Sequence, residues 1–276
     1  MRHILIAGAG SYIGESFKEF LGQWPDEYTV DVLGTKGLEP KPEMFEGIDA
    51  ILCVAGIAHI KETNENQHLY FDVNRDLVVE TAKVAKAAGV KQFILLSSMS
   101  VYGLEVGRIT KEKAPHPVTA YGQSKLEADE EIKMIEDENF FFTCLRPPMV
   151  YGKNCTGNYQ SLRKFALKSP IFPRIDNNRS MIYIGNLCEF VKGCIEEKKS
   201  GLFFPQNAEY TNTSEMVRAI AEAHGKKIKL TKAFNWAIKI APMDVVKKIF
   251  GDLVYEPVDT VGKYGLKESI RLSEIE

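Results

Sequence analysis

Residues 4–14 of the chain read ILIAGAGSYIG, an apolar run that leads directly into Gly8, Gly10 and Gly14. A short apolar run followed at once by glycines is typical of a buried strand that turns sharply into a helix. Small residues in such a turn let the backbone approach a pyrophosphate, and the helix N-terminus offers N–H groups and a partial positive charge. The stretch therefore predicts the first strand-turn-helix unit of a nucleotide-binding domain, and a tight turn without a ligand is the alternative.

The same alternation continues across the first half of the chain. Short apolar runs, the form expected of parallel strands covered on both faces, are found at residues 4–7, 29–33, 50–55, 93–97 and 141–145. Segments with helical periodicity lie between them, at residues 14–21, 69–88 and 121–136. Alternating strands and helices predict an α/β protein with a Rossmann-type, doubly wound parallel sheet.

The sequence pattern changes near Pro147, after which Gly, Asn and Pro interrupt the periodic segments. Such a composition fits a smaller, loop-rich lobe at the strand ends, where open α/β sheets bind their ligands. We therefore expect a dinucleotide-binding domain over residues 1–147 and a smaller C-terminal α/β lobe, mainly for substrate, over residues 148–276. A segment near residues 180–195 is expected to return to the first domain.

The composition excludes several classes of protein. The 276 residues carry 35 basic and 37 acidic side chains, a formal net charge of -2, which gives no electrostatic footprint for nucleic acid or an anionic membrane. The N-terminal apolar run is too short to span a membrane. Five cysteines without a CxxC pair predict neither zinc nor disulfides, so we expect free thiols in a reducing cytoplasm. Scattered histidines such as His59 predict no metal site, and Phe234 and Trp236 are expected to pack in the core.

The end of the second strand bears on the choice of cofactor. An NAD enzyme usually carries an acid about 20 residues past the last glycine, where it binds the ribose 2′-hydroxyl. Here Leu33 is followed by Gly34, Thr35 and Lys36, and the nearest acid, Asp31, lies within the strand. Asp31 would reach the ribose only if the strand ended early. The absence of an acid at Gly34, beside the hydroxyl of Thr35 and the amine of Lys36, favours NADP, whose 2′-phosphate these groups could bind. The alternative is that Lys36 is only a solvated loop residue, so the choice between NAD and NADP stays open.

Three side chains are predicted to serve proton transfer. Tyr121 and Lys125 are four residues apart, so on a helix they share a face. An adjacent ammonium lowers the pKa of a phenol from about 10, which makes the pair a candidate general acid/base. Ser98 ends the fourth strand, where its hydroxyl is placed to bind the oxygen of an alcohol or ketone. Ser97 and Ser100 compete with Ser98 for that role.

A glycine turn, a serine at a strand end and a Tyr-x-x-x-Lys pair, in that order, resemble the extended short-chain dehydrogenase/reductases. The resemblance is to the NAD-dependent epimerase/dehydratase group that acts on nucleotide sugars, and it covers nearly the whole chain. It is carried by Gly8 to Gly14, Asp49-Ala50-Ile51 with Ala55-Gly56, Asn74, Ser98 to Gly103, Tyr121 with Lys125, RPPMVYG at residues 146–152 and RSMIYIGNL at residues 179–187.

The resemblance implies a role for each candidate residue. Tyr121 would be the acid/base, Lys125 would hold the nicotinamide ribose and tune Tyr121, and Ser98 would bind the reacting oxygen. The residues implied at the NAD or NADP cofactor are Gly8, Gly10, Ser11, Tyr12, Ile13, Gly14, Gly34, Thr35, Lys36, Ala55, Gly56, Asn74, Lys125 and Pro147. Those implied at the nucleotide-sugar substrate are Ser98, Ser100, Tyr121, Asn158 and Arg179, the last two at the sugar diphosphate.

Departures from the family pattern narrow the expected activity. Ser11 stands where the middle glycine of TGxxGxxG falls, with Gly10 as a substitute by register. Met99-Ser100 replaces the Asp-Glu pair of the sugar 4,6-dehydratases, which disfavours a dehydratase. The resemblance favours a nucleotide-sugar 4-epimerase, whereas Gly34 with Lys36 favours an NADPH-dependent 4-ketoreductase. A non-catalytic dinucleotide sensor is the third hypothesis, and the oligomeric state is open, with a homodimer as one option.

Overall fold

The computed structural model describes residues 1–58, 62–233, 247 and 250–275, so His59, Phe234 and Trp236 lie outside the described residues. The chain divides into two compact units. The first consists of residues 1–103, 114–147 and 188–203, and the second of residues 104–113, 148–187 and 204–276.

Short strands and helices alternate along the chain. The strands are β1 (Arg2–Ala7), β2 (Tyr28–Leu33), β3 (Ala50–Cys53), β4 (Gln92–Leu96), β5 (Gly107–Ile109), β6 (Phe141–Leu145), β7 (Met149–Tyr151), β8 (Ile171–Pro173), β9 (Met181–Tyr183), β10 (Gly201–Phe203), β11 (Gln206–Asn207), β12 (Lys229–Thr231), β13 (Leu253–Tyr255) and β14 (Thr260–Val261). The α-helices are α1 (Tyr12–Leu21), α2 (Gln67–Phe71), α3 (Leu77–Ala87), α4 (Ala120–Met134), α5 (Asn158–Lys168), α6 (Ile184–Glu196), α7 (Thr213–Ala223) and α8 (Leu266–Glu274).

The first unit is built on a six-stranded sheet with the strand order β10-β6-β4-β3-β1-β2. Every neighbouring pair in it is parallel. The chain passes from β1 to β2 on one side and then to β3 on the other, so the order reverses between β1 and β3. In an open parallel sheet, that reversal places the ligand crevice at the carboxyl ends of these two strands. The predicted Rossmann-type parallel sheet is confirmed.

The register of the sheet brings the predicted motifs to one edge. The last paired residues of neighbouring strands are Ala7 with Leu33, Ala7 with Cys53, Cys53 with Leu95, and Leu96 with Leu145. Because these strands are parallel and end in register, the segments that follow them leave the sheet at the same edge. The glycine turn, Gly34, Ala55 and Ser98 therefore lie at the carboxyl ends of adjacent strands.

Most predicted elements differ from the observed ones by one or two residues at an end. The predicted strand 50–55 ends at Cys53, two residues earlier. The predicted helix 69–88 consists of α2 and α3 joined by a π-helical turn over Asp72–Asp76. A π-helical turn changes which side chains face the sheet, and such turns are frequent at functional sites. Helical periodicity predicts the helix but not this local change in its winding.

Among its described residues, the second unit contains short parallel strand pairs and the whole of helices α5, α7 and α8. Its strand pairs are β7 with β9, β5 with β13, β8 with β12, and β11 with β14. Helix α7 packs against both α5 and α8. Asn212 caps α7 because its side chain accepts hydrogen bonds from the backbone of Ser214 and Glu215. Among the helices that the structure describes, none is long and apolar enough to cross a membrane.

Candidate active site

The glycine turn joins β1 to α1 in a conformation that requires its glycines. Gly8 has a φ of +130°, and a Cβ there would lie 2.9 Å from the backbone nitrogen of Ala55. Gly10 has a φ of +74° and faces open space, since nothing lies within 4 Å of a Cβ built on it. Ser11 caps α1 by accepting a hydrogen bond from the Gly14 amide at 3.2 Å. The turn is therefore packed against the end of β3 and open at Gly10.

The same turn already binds an anionic group of the chain itself. The Gly10 amide donates a hydrogen bond to the Glu15 carboxylate at 3.2 Å. An anion at the start of a helix is stabilised by the partial positive charge of the helix and by its free N–H groups. A dinucleotide pyrophosphate would gain from the same features, so the residues of this turn fit the cofactor that the motif predicts.

The end of β2 offers no acid to a ribose. The strand continues to Leu33, and the exposed residue that follows is Gly34. Asp31 lies within the strand, and its carboxylate is bonded to the Nε2 atom of His3 at 2.7 Å. An early end of β2, which would have brought Asp31 to the ribose, is not observed. Lys36 is exposed three residues beyond Leu33.

Replacing Gly34 by Asp is expected to shift the cofactor preference from NADP towards NAD. The new carboxylate would repel a 2′-phosphate and accept a hydrogen bond from a 2′-hydroxyl. The Cβ of residue 34 meets nothing within 4 Å, so the substitution does not disturb packing. Calorimetric titration of both proteins with both cofactors measures the effect. An unchanged ratio of the two affinities would place Gly34 outside the ribose pocket.

Asn74 lies in the π-helical turn and is fully buried. Its Oδ1 atom accepts a hydrogen bond from the Ile57 amide at 2.8 Å, and its Nδ2 atom donates to the Ile57 carbonyl at 3.1 Å. Nδ2 also donates to Ser124 Oγ at 3.2 Å. These contacts favour a role in holding the segment after β3 against α4 rather than in touching a cofactor directly.

Lys125 ties together the ends of two central strands. Its buried ammonium donates hydrogen bonds to the carbonyl of Ala55 at 3.2 Å and to that of Leu96 at 3.0 Å. Gly56 has a φ of +153°, and a Cβ on it would lie 2.9 Å from Asn74 Oδ1 and 3.0 Å from the Lys125 Nζ atom, so this position favours glycine. Burial lowers the pKa of Lys125, and the thiol of Cys53 and the carboxylate of Asp129 oppose that shift.

The phenol of Tyr121 lies next to Ser98, as the motif order predicts. Burial raises the pKa of Tyr121, and a hydrogen bond with Ser98 partly offsets this. The expectation that Lys125 lowers this pKa was wrong for the protein without ligands. Desolvation outweighs the other effects on the phenol, and the ammonium is directed to the two backbone carbonyls instead. The ring of Tyr70 packs edge-on against that of Tyr121, with centroids 6.2 Å apart.

The three candidate serines have different surroundings. Ser97 is buried and donates a hydrogen bond to Asp129 Oδ2 at 2.8 Å, which removes it from the competition for substrate. Ser98 is half-buried and donates to the exposed Ser100 hydroxyl at 3.1 Å. Pro147 lies beside them, because its carbonyl accepts a hydrogen bond from the Met99 amide at 3.1 Å. Ser98 and Ser100 stay candidates.

Two predicted substrate residues belong to the second unit. Asn158 is exposed and is the first residue of α5. Arg179 is half-buried, and its Nη1 atom donates hydrogen bonds to the carbonyl of Gly251 at 2.8 Å and to that of Lys247 at 3.4 Å. These contacts tie the side chain to a segment 68 to 72 residues later in the chain.

The comparisons with known proteins agree with this geometry. The profile of the NAD dependent epimerase/dehydratase family matches residues 4–202. UDP-glucose 4-epimerase of Vibrio cholerae is 30% identical over 236 residues, which cover 80% of this chain and 72% of that protein. A Bacillus cereus UDP-glucuronic acid 4-epimerase solved with NAD has a TM-score of 0.78 at 17% identity, over 99% of this chain and 95% of that one. A Bacillus anthracis dTDP-4-dehydrorhamnose reductase solved with NADP has a TM-score of 0.73 at 16% identity, over 99% and 98%.

The family match spans the sheet of the first unit and the motifs at its edge. It begins at Ile4 in β1, ends at Leu202 in β10, and contains the glycine turn, Ser98, Tyr121 and Lys125. The resemblance inferred from the motifs is confirmed, and the family's description as NAD dependent agrees with the expected nicotinamide cofactor. The chain belongs to the NAD-dependent epimerase/dehydratase family.

Proposed function

We propose that the chain is an NAD(P)-dependent 4-epimerase of nucleoside-diphosphate hexoses. The observation that carries the proposal is the placement of Ser98, Tyr121 and Lys125 at the sheet edge where the glycine turn also lies. The name of the Vibrio cholerae relative, UDP-glucose 4-epimerase, supports this activity and a UDP-hexose as the first substrate to test.

The cofactor would be held by the first unit. The turn from Gly8 to Gly14 would bind the pyrophosphate, the segment from Gly34 to Lys36 would border the adenosine ribose, and Lys125 would bind the nicotinamide ribose. Ala55, Gly56 and Pro147 would line the nicotinamide half, with Asn74 fixing the segment after β3. When bound, the dinucleotide would supply hydride chemistry at C4 of the hexose, with its nicotinamide as hydride acceptor and donor.

Tyr121 and Ser98 would act on the C4 oxygen of the hexose. Ser98 would donate a hydrogen bond to that oxygen, while Tyr121 would remove the hydroxyl proton and later return it. Because the pKa of Tyr121 is raised, the neutral phenol is the resting form of the protein without ligands. Proton removal needs the phenolate, so the rate of sugar oxidation is expected to increase as the pH rises.

The second unit would bind the nucleoside diphosphate through Asn158 and Arg179. A guanidinium forms paired, charge-assisted hydrogen bonds to phosphate oxygens. The contacts of Arg179 Nη1 with the carbonyls of Lys247 and Gly251 fix the side chain in one orientation. Ser100, exposed beside Ser98, is proposed as a further contact to the hexose.

Arg179→Ala is expected to raise KM for the nucleotide sugar and to leave dinucleotide affinity nearly unchanged. The ground state and the transition state carry the same diphosphate, so losing the guanidinium removes uniform binding with a smaller effect on kcat. Two carbonyls also lose a hydrogen bond from the guanidinium, so the melting temperature should fall. Steady-state kinetics and thermal melting decide the assignment. A lowered melting temperature with unaltered KM would make Arg179 a scaffold residue only.

A 4-ketoreductase is the second candidate. It is favoured by the end of β2, where Gly34 replaces an acid and Asp31 is bonded to His3. In that case NADPH would be the preferred cofactor and a 4-keto sugar the substrate, and Tyr121 would donate the proton to the new hydroxyl. We also propose a homodimer in the cytoplasm, a setting that suits the five buried cysteines, all free thiols.

Two measurements test these functions. The first identifies the dinucleotide that co-purifies with the protein, and the second measures turnover of the candidate sugars. Tightly held NAD with interconversion of UDP-glucose and its C4 epimer supports the epimerase. An empty or NADPH-binding site, with reduction of dTDP-4-dehydrorhamnose, supports the reductase. Dinucleotide binding without turnover of any of these sugars would support the sensor and contradict both enzymes.

A further inference from the structure

A buried ion pair involves the helix that carries the proposed acid/base. Tyr121, Lys125 and Asp129 follow each other at intervals of four residues on α4, so they share one face of the helix. Asp129 is only 4% exposed, and the proposed proton transfer does not use it. Its Oδ2 atom accepts hydrogen bonds from Arg146 Nε at 3.0 Å and from Ser97 Oγ at 2.8 Å.

Arg146 extends this pair to a tyrosine. The residue is 6% exposed and follows β6. Its Nη1 atom donates a hydrogen bond to the hydroxyl of Tyr102 at 2.8 Å, and its guanidinium lies 5.3 Å from the centre of the Tyr102 ring. One charged pair therefore contacts Ser97 on one side and Tyr102 on the other.

Those two residues flank the segment that carries Ser98. The turn Met99–Tyr102 is capped by the Ser98 side chain, and Val101 within it is fully buried. Ser97 precedes Ser98 directly, and Tyr102 ends the turn. The pair thus contacts both ends of the segment that carries Ser98 and Ser100, and Asp129 belongs to the same helix as Tyr121.

We propose that Asp129 and Arg146 are positioning residues that hold the Ser98 segment in register with Tyr121. Asp129 holds the Ser97 end of the segment to α4, and Arg146 holds the Tyr102 end to Asp129. The consequence is a fixed separation between the Ser98 hydroxyl and the Tyr121 phenol. This inference rests on the proposed function, in which both groups act on one substrate oxygen.

Stability alone is a weak reason for this arrangement. Removing two charges from water is costly, and apolar residues of similar volume often replace a buried pair without loss of stability. Burial raises the pKa of Asp129, which Arg146 and Ser97 oppose. Positioning is a better reason, because small displacements of reacting groups have large effects on rate.

Two substitutions release the ends of the segment and leave the ion pair in place. Ser97→Ala removes the donor of the hydrogen bond to Asp129, and Tyr102→Phe removes the acceptor of the hydrogen bond from Arg146. The matched control is Thr143→Val on β6, because Thr143 is fully buried and its hydroxyl accepts a hydrogen bond from Gln92 at 3.2 Å, at the amino end of β4. It removes a buried hydroxyl from the same sheet, away from the Ser98 segment.

Each of the two variants is expected to lower kcat by about 10-fold, with KM and dinucleotide affinity close to wild type. Thr143→Val should keep the wild-type kcat even if its melting temperature falls as much as those of Ser97→Ala and Tyr102→Phe. The double variant Asp129→Leu with Arg146→Met, where it folds, should lose kcat without losing dinucleotide binding. Wild-type kcat in both Ser97→Ala and Tyr102→Phe would overturn the inference.

A measurement without turnover separates this inference from the proposed function. The Tyr121 phenol can be titrated by carbon NMR of ring-labelled tyrosine, with Tyr121→Phe to assign the signal. A displaced Ser98 donates a weaker hydrogen bond, so the pKa of Tyr121 should rise in Ser97→Ala and Tyr102→Phe. Both variants retain the side chains of Asp129 and Tyr70, the other two groups that act on this pKa. If both variants show this rise but the wild-type protein turns over no sugar, the proposed function alone would be contradicted. An unchanged titration in both variants would overturn the positioning role.

Discussion

Tyr121→Phe is expected to lower turnover by about 100-fold or more while dinucleotide binding persists. The substitution keeps the ring that packs against Tyr70 and removes only the hydroxyl that exchanges the proton. Steady-state kinetics with UDP-glucose and calorimetric titration with NAD and NADPH measure the two quantities. The raised pKa of Tyr121 also predicts that wild-type sugar oxidation becomes faster as the pH increases, and that the residual rate of the variant loses this dependence.

The matched control for this variant is Tyr28→Phe. Tyr28 lies in the same unit on β2, and its hydroxyl donates a hydrogen bond to Glu196 at 2.9 Å, away from the sheet edge that carries the candidate site. Removing that hydroxyl should leave kcat unchanged. If Tyr121→Phe retained wild-type turnover, the assignment of Tyr121 as the acid/base would be lost.

Lys125→Met is expected to reduce both turnover and cofactor affinity. Methionine fills a similar volume but leaves the carbonyls of Ala55 and Leu96 without their donor, at a cost of about 1–3 kcal/mol for each unsatisfied group. We expect a fall of about 100-fold or more in kcat. Dinucleotide affinity should also fall, by about 10-fold or more, because the proposed contact to the nicotinamide ribose is lost.

Lys86→Met is the control for the loss of a lysine. Lys86 on α3 also donates to a backbone carbonyl, that of Ile135, at 2.6 Å, but it lies away from the candidate site. The melting temperature of Lys86→Met is compared with that of Lys125→Met, and the kcat and KM of Lys86→Met should match those of the wild type. A Lys125→Met protein that binds both dinucleotides like the wild type would show that Lys125 supports the strand ends without touching the cofactor.

The sheet was predictable because its strands are covered on both faces. Residues such as Ile51, Leu52 and Phe93 are fully buried, so the strands appear in the sequence as continuous apolar runs. The glycine turn was equally visible, because Gly8 cannot carry a side chain against Ala55. Local sequence is sufficient where a local steric or burial requirement selects the residue type.

Contacts between distant segments were not predictable. Asn74 lies in a π-helical turn that helical periodicity does not reveal, and its partner Ile57 is 17 residues away. Arg179 contacts the carbonyl of Gly251, which is 72 residues away. The hydroxyl of Ser97 is used in a hydrogen bond to the buried carboxylate of Asp129, 32 residues later in the chain. Each of these contacts depends on how segments pack.

The spacing of Tyr121 and Lys125 gave the residues of the site but not their electrostatics. Two side chains at this spacing share a helix face, yet the ammonium of Lys125 reaches two carbonyls at the strand ends. Desolvation then dominates the pKa of Tyr121, and no sequence pattern reports how much water a folded chain excludes.

The most direct test of the proposed function is the conversion of the C4 epimer of UDP-glucose by the purified protein in heavy water, followed by NMR. An epimerase that passes the C4 hydrogen to bound cofactor and back should form UDP-glucose with no deuterium at C4. The Tyr121→Phe variant should form almost no UDP-glucose. Deuterium at C4 of the product, or no interconversion with either cofactor, would contradict a 4-epimerase.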